Sequence, residues 1–219
     1  MTAAIICNGA FPRKEYPRYL ISSADIIICC DGALTAYLRA MPALFGGAGR
    51  LPDAIVGDMD SLPAAMQKRF AGRIVHFAEQ DYNDQTKALR HLLSRWPEVS
   101  EIHILGATGK RADHTIGNAS LLMEYGRLFP EVKGKVLDMV SDYETFFPLW
   151  DSATLSVGAG RRVSIFSPDN SLKIKSSGLE YQTGNVIFDN WWKATLNRAT
   201  EDEITLELSH PSMVLLCLD

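Results

Sequence analysis

Seven aspartates in the N-terminal part of the chain form a pattern typical of a pocket for hard cations, because most of them come just after short apolar segments. They are Asp31, Asp53, Asp58, Asp60, Asp81, Asp84 and Asp113. The closest pair, Asp58 and Asp60, follows the predicted strand Ala54–Val56, and in an extended segment residues i and i+2 point to the same side. Two carboxylates this close repel unless they are protonated, turned apart or bridged by a cation, and Mg²⁺ prefers oxygen ligands. Asp58 and Asp60 are therefore our first candidates for metal ligands; the alternative is a turn role for Asp58 and helix capping by Asp60 or Ser61.

A second acidic segment lies at a predicted junction between a loop and a helix. It contributes Asp81, Asp84 and the lysine Lys87. Lys87 falls on the first turn of the predicted helix, where a cation opposes the helix dipole. This placement is favourable when an anion binds there, because a helix N-terminus and a lysine together form a phosphate site. A solvated lysine is the alternative interpretation.

A glycine-containing loop between a predicted strand and a predicted helix carries the third group of candidates. The close spacing of Gly106 and Gly109, with Arg111 where a hydroxyl would stand, excludes a Walker P-loop. Such a loop can still approach a polyphosphate closely, with Arg111 as a bidentate clamp and Asp113 on a metal or a ribose hydroxyl. His114, at the start of the helix, favours a capping or packing role over that of a general base.

The elements that position these residues alternate between strands and helices, which is typical of a mostly parallel sheet covered by helices. The predicted strands are residues 3–7, 25–30, 54–56, 74–77, 102–105 and 136–140. The predicted helices are residues 33–40, 63–70, 85–96 and 115–129, with Ser61 or Asp60 and Asp84 as N-caps. The candidate residues then fall at the carboxyl ends of strands, which is the edge where open α/β sheets bind ligands.

The chain changes character near Trp150, after which short alternating segments are separated by Gly, Pro and Asn. These predicted strands are residues 154–157, 162–166, 172–174, 204–208 and 214–216. We predict an α/β domain at residues 1–145, with a Rossmann-like, mostly parallel sheet and flanking helices, and a smaller all-β, sandwich-like domain at residues 150–219. The second has only about 70 residues, so we expect it to pack on the first domain or on a second subunit.

Composition limits the class of protein. With 219 residues, 47% of them hydrophobic, the chain can form a substantial core. The net charge of -4 and the lack of any lysine- or arginine-rich segment argue against a nucleic-acid partner. Four cysteines without Cys-x-x-Cys spacing predict free thiols and a cytoplasmic protein. No leader-like N-terminus or membrane-length apolar segment is present, so neither secretion nor membrane insertion is expected.

Three segments, taken in order, resemble the signatures of the thiamine pyrophosphokinase family. They are Gly57–Ser61, Asp81–Leu89 and Gly109–Asn118. Cys30–Ala33 and Pro52–Asp53 also resemble that family, so the resemblance covers most of residues 1 to about 125. The β-rich tail resembles the second domain of the family more loosely.

The resemblance implies transfer of a diphosphate from ATP to the hydroxyethyl oxygen of thiamine, which gives thiamine diphosphate and AMP. It implies that the first domain binds ATP and Mg²⁺, and that the second binds thiamine in a homodimer with the active site at the subunit interface. The implied metal ligands are Asp58, Asp60 and Asp84, which form the catalytic set together with Lys87. The implied nucleotide-binding residues are Asp31, which supports the acidic cluster, and Arg111, Asp113 and Asn118. Asp84 and Asp81 are the options for accepting the alcohol proton.

The thiamine contacts implied by the resemblance lie in the tail, at Ser177, Tyr181 and Asn197. Thiamine is a cation with a flat pyrimidine, so an aromatic face and hydrogen bonds suit it. Leu196 departs from the family, which usually has a serine there. The alternative interpretation of Ser177 and Tyr181 is a plain strand with a buried tyrosine. For the Trp191–Trp192 pair we expect core packing or a subunit interface, because neighbouring residues in a strand face opposite ways.

Three other functions fit parts of this pattern. A diphosphokinase for another alcohol, such as a hydroxymethyl pterin, would keep the nucleotide half and differ in the acceptor tail. A metal-dependent phosphohydrolase would use the acidic cluster to release phosphate without an acceptor. A nucleotide- or thiamine-binding module would bind these ligands without turnover, which the full set of acids together with Lys87 and Arg111 disfavours.

Overall fold

The computed structural model describes residues 1–219 as two compact units. The first comprises Met1–Asn118 and Gly134–Asp142, and the second comprises Ala119–Lys133 and Tyr143–Asp219. The long helix that spans residues 112–128 thus contributes to both units. None of the helices combines the length and the apolar character needed to cross a lipid bilayer.

The first unit contains six parallel strands. They are β1 (Thr2–Ile6), β2 (Ile26–Cys30), β3 (Ala54–Gly57), β4 (Ile74–His76), β5 (Glu101–Leu105) and β6 (Val136–Val140). Their order across the sheet is β6-β5-β1-β2-β3-β4, and every neighbouring pair is parallel. The prediction of a mostly parallel sheet is confirmed, and all six predicted strands are present with ends that agree within one residue.

The central strands are apolar along their whole length because both of their faces are covered. Every residue of β2 is buried, as is every residue of β3. Strands of this kind occur in parallel sheets with helices on both sides, and burial of their β-branched side chains is a main source of stability. This packing fixes the carboxyl ends of β1, β2, β3 and β5 next to one another along one edge of the sheet.

Five α-helices accompany the strands. They are α1 (Glu15–Ser23), α2 (Ala33–Leu44), α3 (Ala64–Arg69), α4 (Asp84–Arg95) and α5 (Ala112–Leu128), with short 3₁₀ turns at Ala71–Arg73 and Pro130–Gly134. Helix α1 was not predicted, and its buried side is limited to Pro17, Leu20 and Ile21. Helix α2 was predicted to end before Pro42, but it continues to Leu44 because Met41 and Leu44 pack on the core. This packing compensates for the backbone hydrogen bond that proline cannot make.

The predicted N-caps were wrong. Pro63 precedes α3 and provides no side-chain cap, so neither Asp60 nor Ser61 caps that helix. Asn83 caps α4, since its Oδ1 accepts a hydrogen bond from the backbone N–H of Thr86 at 3.1 Å. The side chain of an N-cap residue accepts a hydrogen bond from one of the backbone N–H groups in the first turn, which have no partner within the helix. Asp84 is therefore the first residue of α4, and its carboxylate is not used by the cap.

The strands of the second unit are antiparallel. They are β7 (Thr145–Leu149), β8 (Ala153–Ser156), β9 (Arg162–Phe166), β10 (Ile174–Ser177), β11 (Ala194–Arg198), β12 (Glu203–Leu208) and β13 (Val214–Leu218). They form two groups, in the orders β11-β9-β13-β7 and β10-β12-β8. The predicted β-rich character of the tail is confirmed, but β7 and β11 were not predicted, and the strand predicted at residues 172–174 begins only at Ile174.

Candidate active site

A cavity of about 550 Å³ opens at the carboxyl ends of the parallel strands of the first unit. Its walls come from five segments of the chain. They are residues 7–9 after β1, 30–31 at the end of β2, 58–61 after β3, 80–87 at the start of α4, and 107–118 in the loop after β5 and the first turns of α5. The sheet edge that the sequence predicted for ligand binding is thus the edge at which polar side chains converge.

Three carboxylates meet in this cavity. Asp31, Asp58 and Asp60 each offer one oxygen, and these three oxygens lie within 4.8 Å of one another. Asp31 is buried, Asp58 is half-buried and Asp60 is exposed. Asp31 Oδ2 accepts a hydrogen bond from the backbone N–H of Ser61 at 2.9 Å, whereas Asp31 Oδ1 is buried without a hydrogen-bond partner. A buried carboxylate oxygen without a partner is costly, and a bound cation would satisfy it.

The surroundings shift the pKa values of these acids in opposite directions. Burial raises the pKa of Asp31 to about 6, opposed by the hydrogen bond from the Ser61 amide and assisted by the neighbouring Asp60 and Asp84. The pKa of Asp58 is lowered, first by a hydrogen bond from Gln80 Nε2, at 2.9 Å. Like charges at this separation disfavour simultaneous ionisation, which a divalent cation would reverse.

The backbone around the cluster is adapted to bring the acids together. Gly57 has φ 154°, and a Cβ atom there would lie 3.0 Å from Cβ of Asp31 and 3.1 Å from Oδ1 of Asp84. Asp31 and Met59 both have positive φ values, of 40° and 65°. Non-glycine residues in this region cost conformational energy and occur often at functional sites. The chain thus accepts local strain where the carboxylates converge.

Lys87 lies on the first turn of α4 and is only 1% exposed. Its Nζ lies 3.5 Å from Oδ1 of Asp84. Burial raises the pKa of Asp84, and the positive charge of Lys87 opposes that rise. The interpretation of Lys87 as a solvated lysine is therefore wrong. A buried ammonium that lines a cavity, together with the N-terminus of a helix, forms a site suited to an anion.

Asn118 is buried and connects two walls of the cavity. Its Oδ1 accepts a hydrogen bond from Asn83 Nδ2 at 2.7 Å, and its Nδ2 donates to the carbonyl of Ala107 at 2.8 Å. Its own carbonyl accepts a hydrogen bond from Gln85 Nε2 at 3.3 Å. Asn118 thereby holds the cap of α4 against the loop that follows β5, while it also lines the cavity.

Arg111 and Asp113 form an exposed ion pair with each other. Arg111 Nε lies 3.1 Å from Asp113 Oδ1, and Arg111 Nη2 contacts Asp113 Oδ2. This arginine lowers the pKa of Asp113 to about 2. Arg111 and the exposed His114 line the cavity. The carboxylate of Asp113 is directed to Arg111 and to the backbone N–H of His114.

Three of the seven aspartates lie outside the cavity lining, namely Asp113, which pairs with Arg111, and Asp53 and Asp81. Asp53 Oδ2 accepts a hydrogen bond from the backbone N–H of Ile27 at 2.8 Å, so it stabilises the start of two neighbouring strands. Asp81 is exposed and its backbone N–H donates to Glu79. Cavity residues that the sequence analysis missed include Asn8, Gln80, Asn83 and Gln85. Their positions next to predicted strand and helix ends were the available signal for Asn8 and Asn83.

The tail candidates lie in the second unit. Ser177 is the last residue of β10 and is exposed. Tyr181 lies outside the strands and is 63% exposed, so the interpretation of a buried strand tyrosine is wrong. Asn197 is buried, and its side chain holds the backbone of Tyr181: its Oδ1 accepts from the N–H at 3.0 Å and its Nδ2 donates to the carbonyl at 2.6 Å.

The Trp191–Trp192 pair does not belong to the core. Trp191 is 43% exposed and Trp192 is 50% exposed, and neither lies in a strand. The ring of Trp191 packs against Phe166 with a centroid distance of 5.2 Å. The expectation of core packing is therefore wrong for both residues.

Two family models match the chain. The model described as thiamin pyrophosphokinase, catalytic domain, matches residues 17–133, and the model described as thiamin pyrophosphokinase, substrate-binding domain, matches residues 144–215. The thiamine pyrophosphokinase of Bacillus subtilis (strain 168) is 34% identical over 105 residues, which are 46% of this chain and 47% of that protein. Thiamine pyrophosphokinase 1 of Oryza sativa subsp. japonica is 28% identical over 141 residues, which are 58% of this chain and 53% of that protein. The matched region spans about half the length of these curated relatives.

Solved structures show the same fold. The crystal structure of thiamine pyrophosphokinase from Bacillus subtilis superposes with a TM-score of 0.73 at 20% identity, covering 100% of this chain and 98% of that one. The crystal structure of yeast thiamin pyrophosphokinase gives a TM-score of 0.77 at 15% identity, covering 99% and 86%. Because the catalytic-domain model matches more than half of the chain and the substrate-binding model matches most of the rest, the chain belongs to the thiamin pyrophosphokinase family.

Proposed function

We propose that this chain transfers the terminal diphosphate of ATP to the hydroxyl of thiamine, giving thiamine diphosphate and AMP, with Mg²⁺ at the acidic cluster. Membership of the family supports the choice of reaction. One observation carries the proposal on the structural side. The buried, unpartnered Oδ1 of Asp31 belongs to a cluster with Asp58 and Asp60, in the cavity that Lys87 also lines.

The donor set fits Mg²⁺. It consists of carboxylate oxygens without soft ligands in the cluster, and hard cations of this size bind through one or two carboxylates plus substrate phosphates. Asp58, Asp60 and Asp31 would hold the ion, and Asp84 completes the acidic wall beside Lys87. When bound, the ion neutralises charge on the phosphates and orients them.

Lys87 supplies the fixed positive charge of the site. Its burial strengthens its interaction with an anion, because charges interact more strongly where water is excluded. The N-terminus of α4 adds its dipole to the same end of the cavity. Arg111 provides a second cation in the cavity lining. Its guanidinium pairs with Asp113 and can bind a phosphate in place of that carboxylate. Positioning and charge stabilisation supply most of the catalysis in phosphoryl transfer.

In the transfer, the hydroxyl oxygen of thiamine bonds to the β-phosphorus, and the bond from that phosphorus to the oxygen it shares with the α-phosphate breaks. AMP leaves with this oxygen. Asp84 is the acceptor that we favour for the hydroxyl proton, because it lines the cavity and burial raises its pKa. Asp81, the other option, is exposed.

We place the thiamine contacts at Ser177, Tyr181 and Asn197 in the second unit. The exposed ring of Tyr181 suits a flat cation, since aromatic faces attract positive charge. We also propose a homodimer in which this unit of one copy completes the site of its partner. The exposed Trp191 and Trp192 support an interface on this unit, because large apolar surface on a protein marks interaction sites. The four free cysteines support a reducing compartment, the cytoplasm.

The test is incubation of the purified protein with ATP, Mg²⁺ and thiamine, followed by chromatography of AMP and thiamine diphosphate. Matched formation of both products, dependent on metal and on acceptor, is the expected result. Asp58→Asn should abolish the transfer, whereas Asp189→Asn, which alters an exposed ion pair with Lys193, should not. AMP formed only with another alcohol, or phosphate released without an acceptor, would contradict the proposal. Light scattering of the same sample tests the dimer.

A further inference from the structure

Two thiols lie next to each other at the floor of the cavity. Sγ of Cys7 is 3.9 Å from Sγ of Cys30. The parallel register pairs Ile6 with Cys29, so Cys7 and Cys30 follow at neighbouring positions on adjacent chain segments. Adjacent strands lie about 4.8 Å apart, which is within the range of Cα separations that a disulfide spans.

These thiols face the ligand cavity. Both residues belong to its lining, and each is followed directly by another lining residue, Asn8 after Cys7 and Asp31 after Cys30. Cys7 is 8% exposed and Cys30 is 2% exposed. A small oxidant that enters the cavity therefore contacts Cys7 more readily than Cys30. The sulfur of Cys30 lies close enough to react next with the oxidised sulfur of Cys7.

Both thiols also hold the first turn of α4. Cys7 Sγ donates to Oε1 of Gln85 at 3.8 Å, and Cys30 Sγ donates to the carbonyl of Asp84 at 3.5 Å. The buried Lys87 follows Asp84 by three residues and Gln85 by two. Loss of the two thiol protons would remove both ties at the point where α4 presents Asp84 and Lys87 to the cavity.

We propose that Cys7 and Cys30 are a modification site, at which a peroxide forms a reversible disulfide that impairs the nucleotide site. Cys7 sulfur attacks one peroxide oxygen, the O–O bond breaks, and water leaves to give a sulfenic acid. Cys30 sulfur then attacks Cys7 sulfur, the S–S bond forms, the S–O bond breaks, and the hydroxyl leaves as a second water with the thiol proton of Cys30. The two sulfurs lose two electrons to one peroxide.

The product changes the geometry of the floor. A disulfide requires a sulfur separation of about 2.05 Å, so the two sulfurs must come closer than the 3.9 Å that separates them, and neither retains a proton to donate to α4. The effect on nucleotide binding rests on the proposed function, whereas formation of the disulfide does not.

The remaining cysteines provide controls. Cys29 precedes Cys30 in β2, so its side chain points to the other face of the sheet, where it packs in the core cluster. Cys217 is a half-buried free thiol of β13 in the second unit. Neither can substitute for a member of the cavity pair without a large movement of the chain.

The test is treatment of the reduced, folded protein with hydrogen peroxide, followed by non-reducing peptide mapping. We expect a Cys7–Cys30 disulfide in the wild type and in Cys217→Ser, and none in Cys7→Ser or Cys30→Ser. Calorimetry of the oxidised wild type should show ATP affinity in Mg²⁺ reduced at least tenfold and restored by dithiothreitol. Circular dichroism confirms that each variant is folded.

Absence of this disulfide, or its formation with Cys29 instead, would overturn the proposal. If the disulfide forms but ATP affinity is unchanged, the proposal that the disulfide impairs the nucleotide site is wrong. A wild type that forms the disulfide but makes no thiamine diphosphate would contradict the proposed function and leave the modification site standing. An enzyme that makes thiamine diphosphate but forms no Cys7–Cys30 disulfide would support the proposed function and contradict the modification site.

Discussion

Lys87 Nζ lies 3.5 Å from Oδ1 of Asp84 on the first turn of α4, and the lysine is buried. A cation three residues from the helix start opposes the dipole, so the position of Lys87 is not favoured by the helix itself, whereas that of Asp84 is. A buried ammonium with one nearby carboxylate retains donors for another anion. The pair is thus consistent with a phosphate-binding site that Asp84 occupies in part when no phosphate is bound.

Replacement of Lys87 by methionine should therefore reduce catalysis far more than it reduces folding. Methionine keeps most of the buried volume and removes the charge. Removal of one preorganised electrostatic group typically costs roughly 100-fold to 1000-fold in kcat. Steady-state kinetics with ATP and thiamine would measure the effect. Lys68→Met changes an exposed lysine of α3 and should leave kcat unaltered, and an equal loss in both variants would contradict the role of Lys87.

The parallel sheet could be predicted because its strands carry their own signal. β2 consists of isoleucines and cysteines that are all buried, and such apolar segments between helices indicate strands covered on both faces.

The strands of the tail were harder to predict. β11 contains Thr195, Asn197 and Arg198, and its pairing with β9 shifts register within the strand, so no simple alternation marks it. Tertiary packing overrides local preference there.

The candidate site was predictable where neighbours in sequence act together, as for Asp58 and Asp60. It was not predictable where the partners are far apart in the chain. Asn83 and Asn118 are 35 residues apart, yet they share a hydrogen bond of 2.7 Å. No pattern of residue types encodes that contact. The cluster of Asp31 with Asp58 and Asp60 differs, because these residues follow β2 and β3, which are neighbours in the sheet, and their place at strand ends predicted a shared edge.

In the metal-free protein, Asp31 should make stability fall as pH rises. Its pKa is raised from 3.8 to about 6 in the folded state, so the folded protein binds more protons than the unfolded chain between these values. The destabilisation begins above the unfolded pKa and is complete once pH exceeds the folded pKa, and it amounts to about 3 kcal/mol at most. Urea unfolding with EDTA between pH 4 and pH 8 would measure it.

Asp31→Asn serves as the matched variant for that experiment. It should flatten the pH dependence and raise the stability of the metal-free protein above pH 6, while it lowers activity because the cluster loses a charged ligand. Added Mg²⁺ should stabilise the wild type and have a smaller effect on the variant. A variant with the same pH profile as the wild type would show that another group titrates.

Asn118→Ala should loosen the start of α4. The change removes the side-chain partner of the carbonyl of the buried Ala107, and an unsatisfied buried group costs roughly 1 to 3 kcal/mol. It also frees the Nδ2 of Asn83, which is exposed and can bond to water instead. The KM for ATP should also rise, because Asn83 caps the helix that carries Lys87. Chemical denaturation and initial rates measure the two effects. Asn185→Ala, at an exposed position, should change neither, and a normal KM in Asn118→Ala would limit this residue to a role in folding.

Asn197 should act on thiamine through Tyr181. Its side chain makes two hydrogen bonds to the backbone of Tyr181 and a third, at 2.8 Å, to the backbone N–H of Arg198. Tyr181→Ala should raise the KM for thiamine about tenfold and leave kcat nearly unchanged, since it removes the aromatic face that we propose for contact with the thiamine cation. Asn197→Ala should raise the same KM by a similar factor, because the ring is then no longer held in place.

A double-mutant cycle distinguishes this positioning role from direct contact. If Asn197 acts only through Tyr181, the variant with both substitutions should have the KM of Tyr181→Ala alone, since coupled residues are not additive. Tyr181→Phe keeps the ring and should behave as the wild type. If the two effects multiply instead, Asn197 contacts thiamine itself, as the sequence first suggested. An unchanged KM in Tyr181→Ala would place the acceptor site elsewhere on the protein.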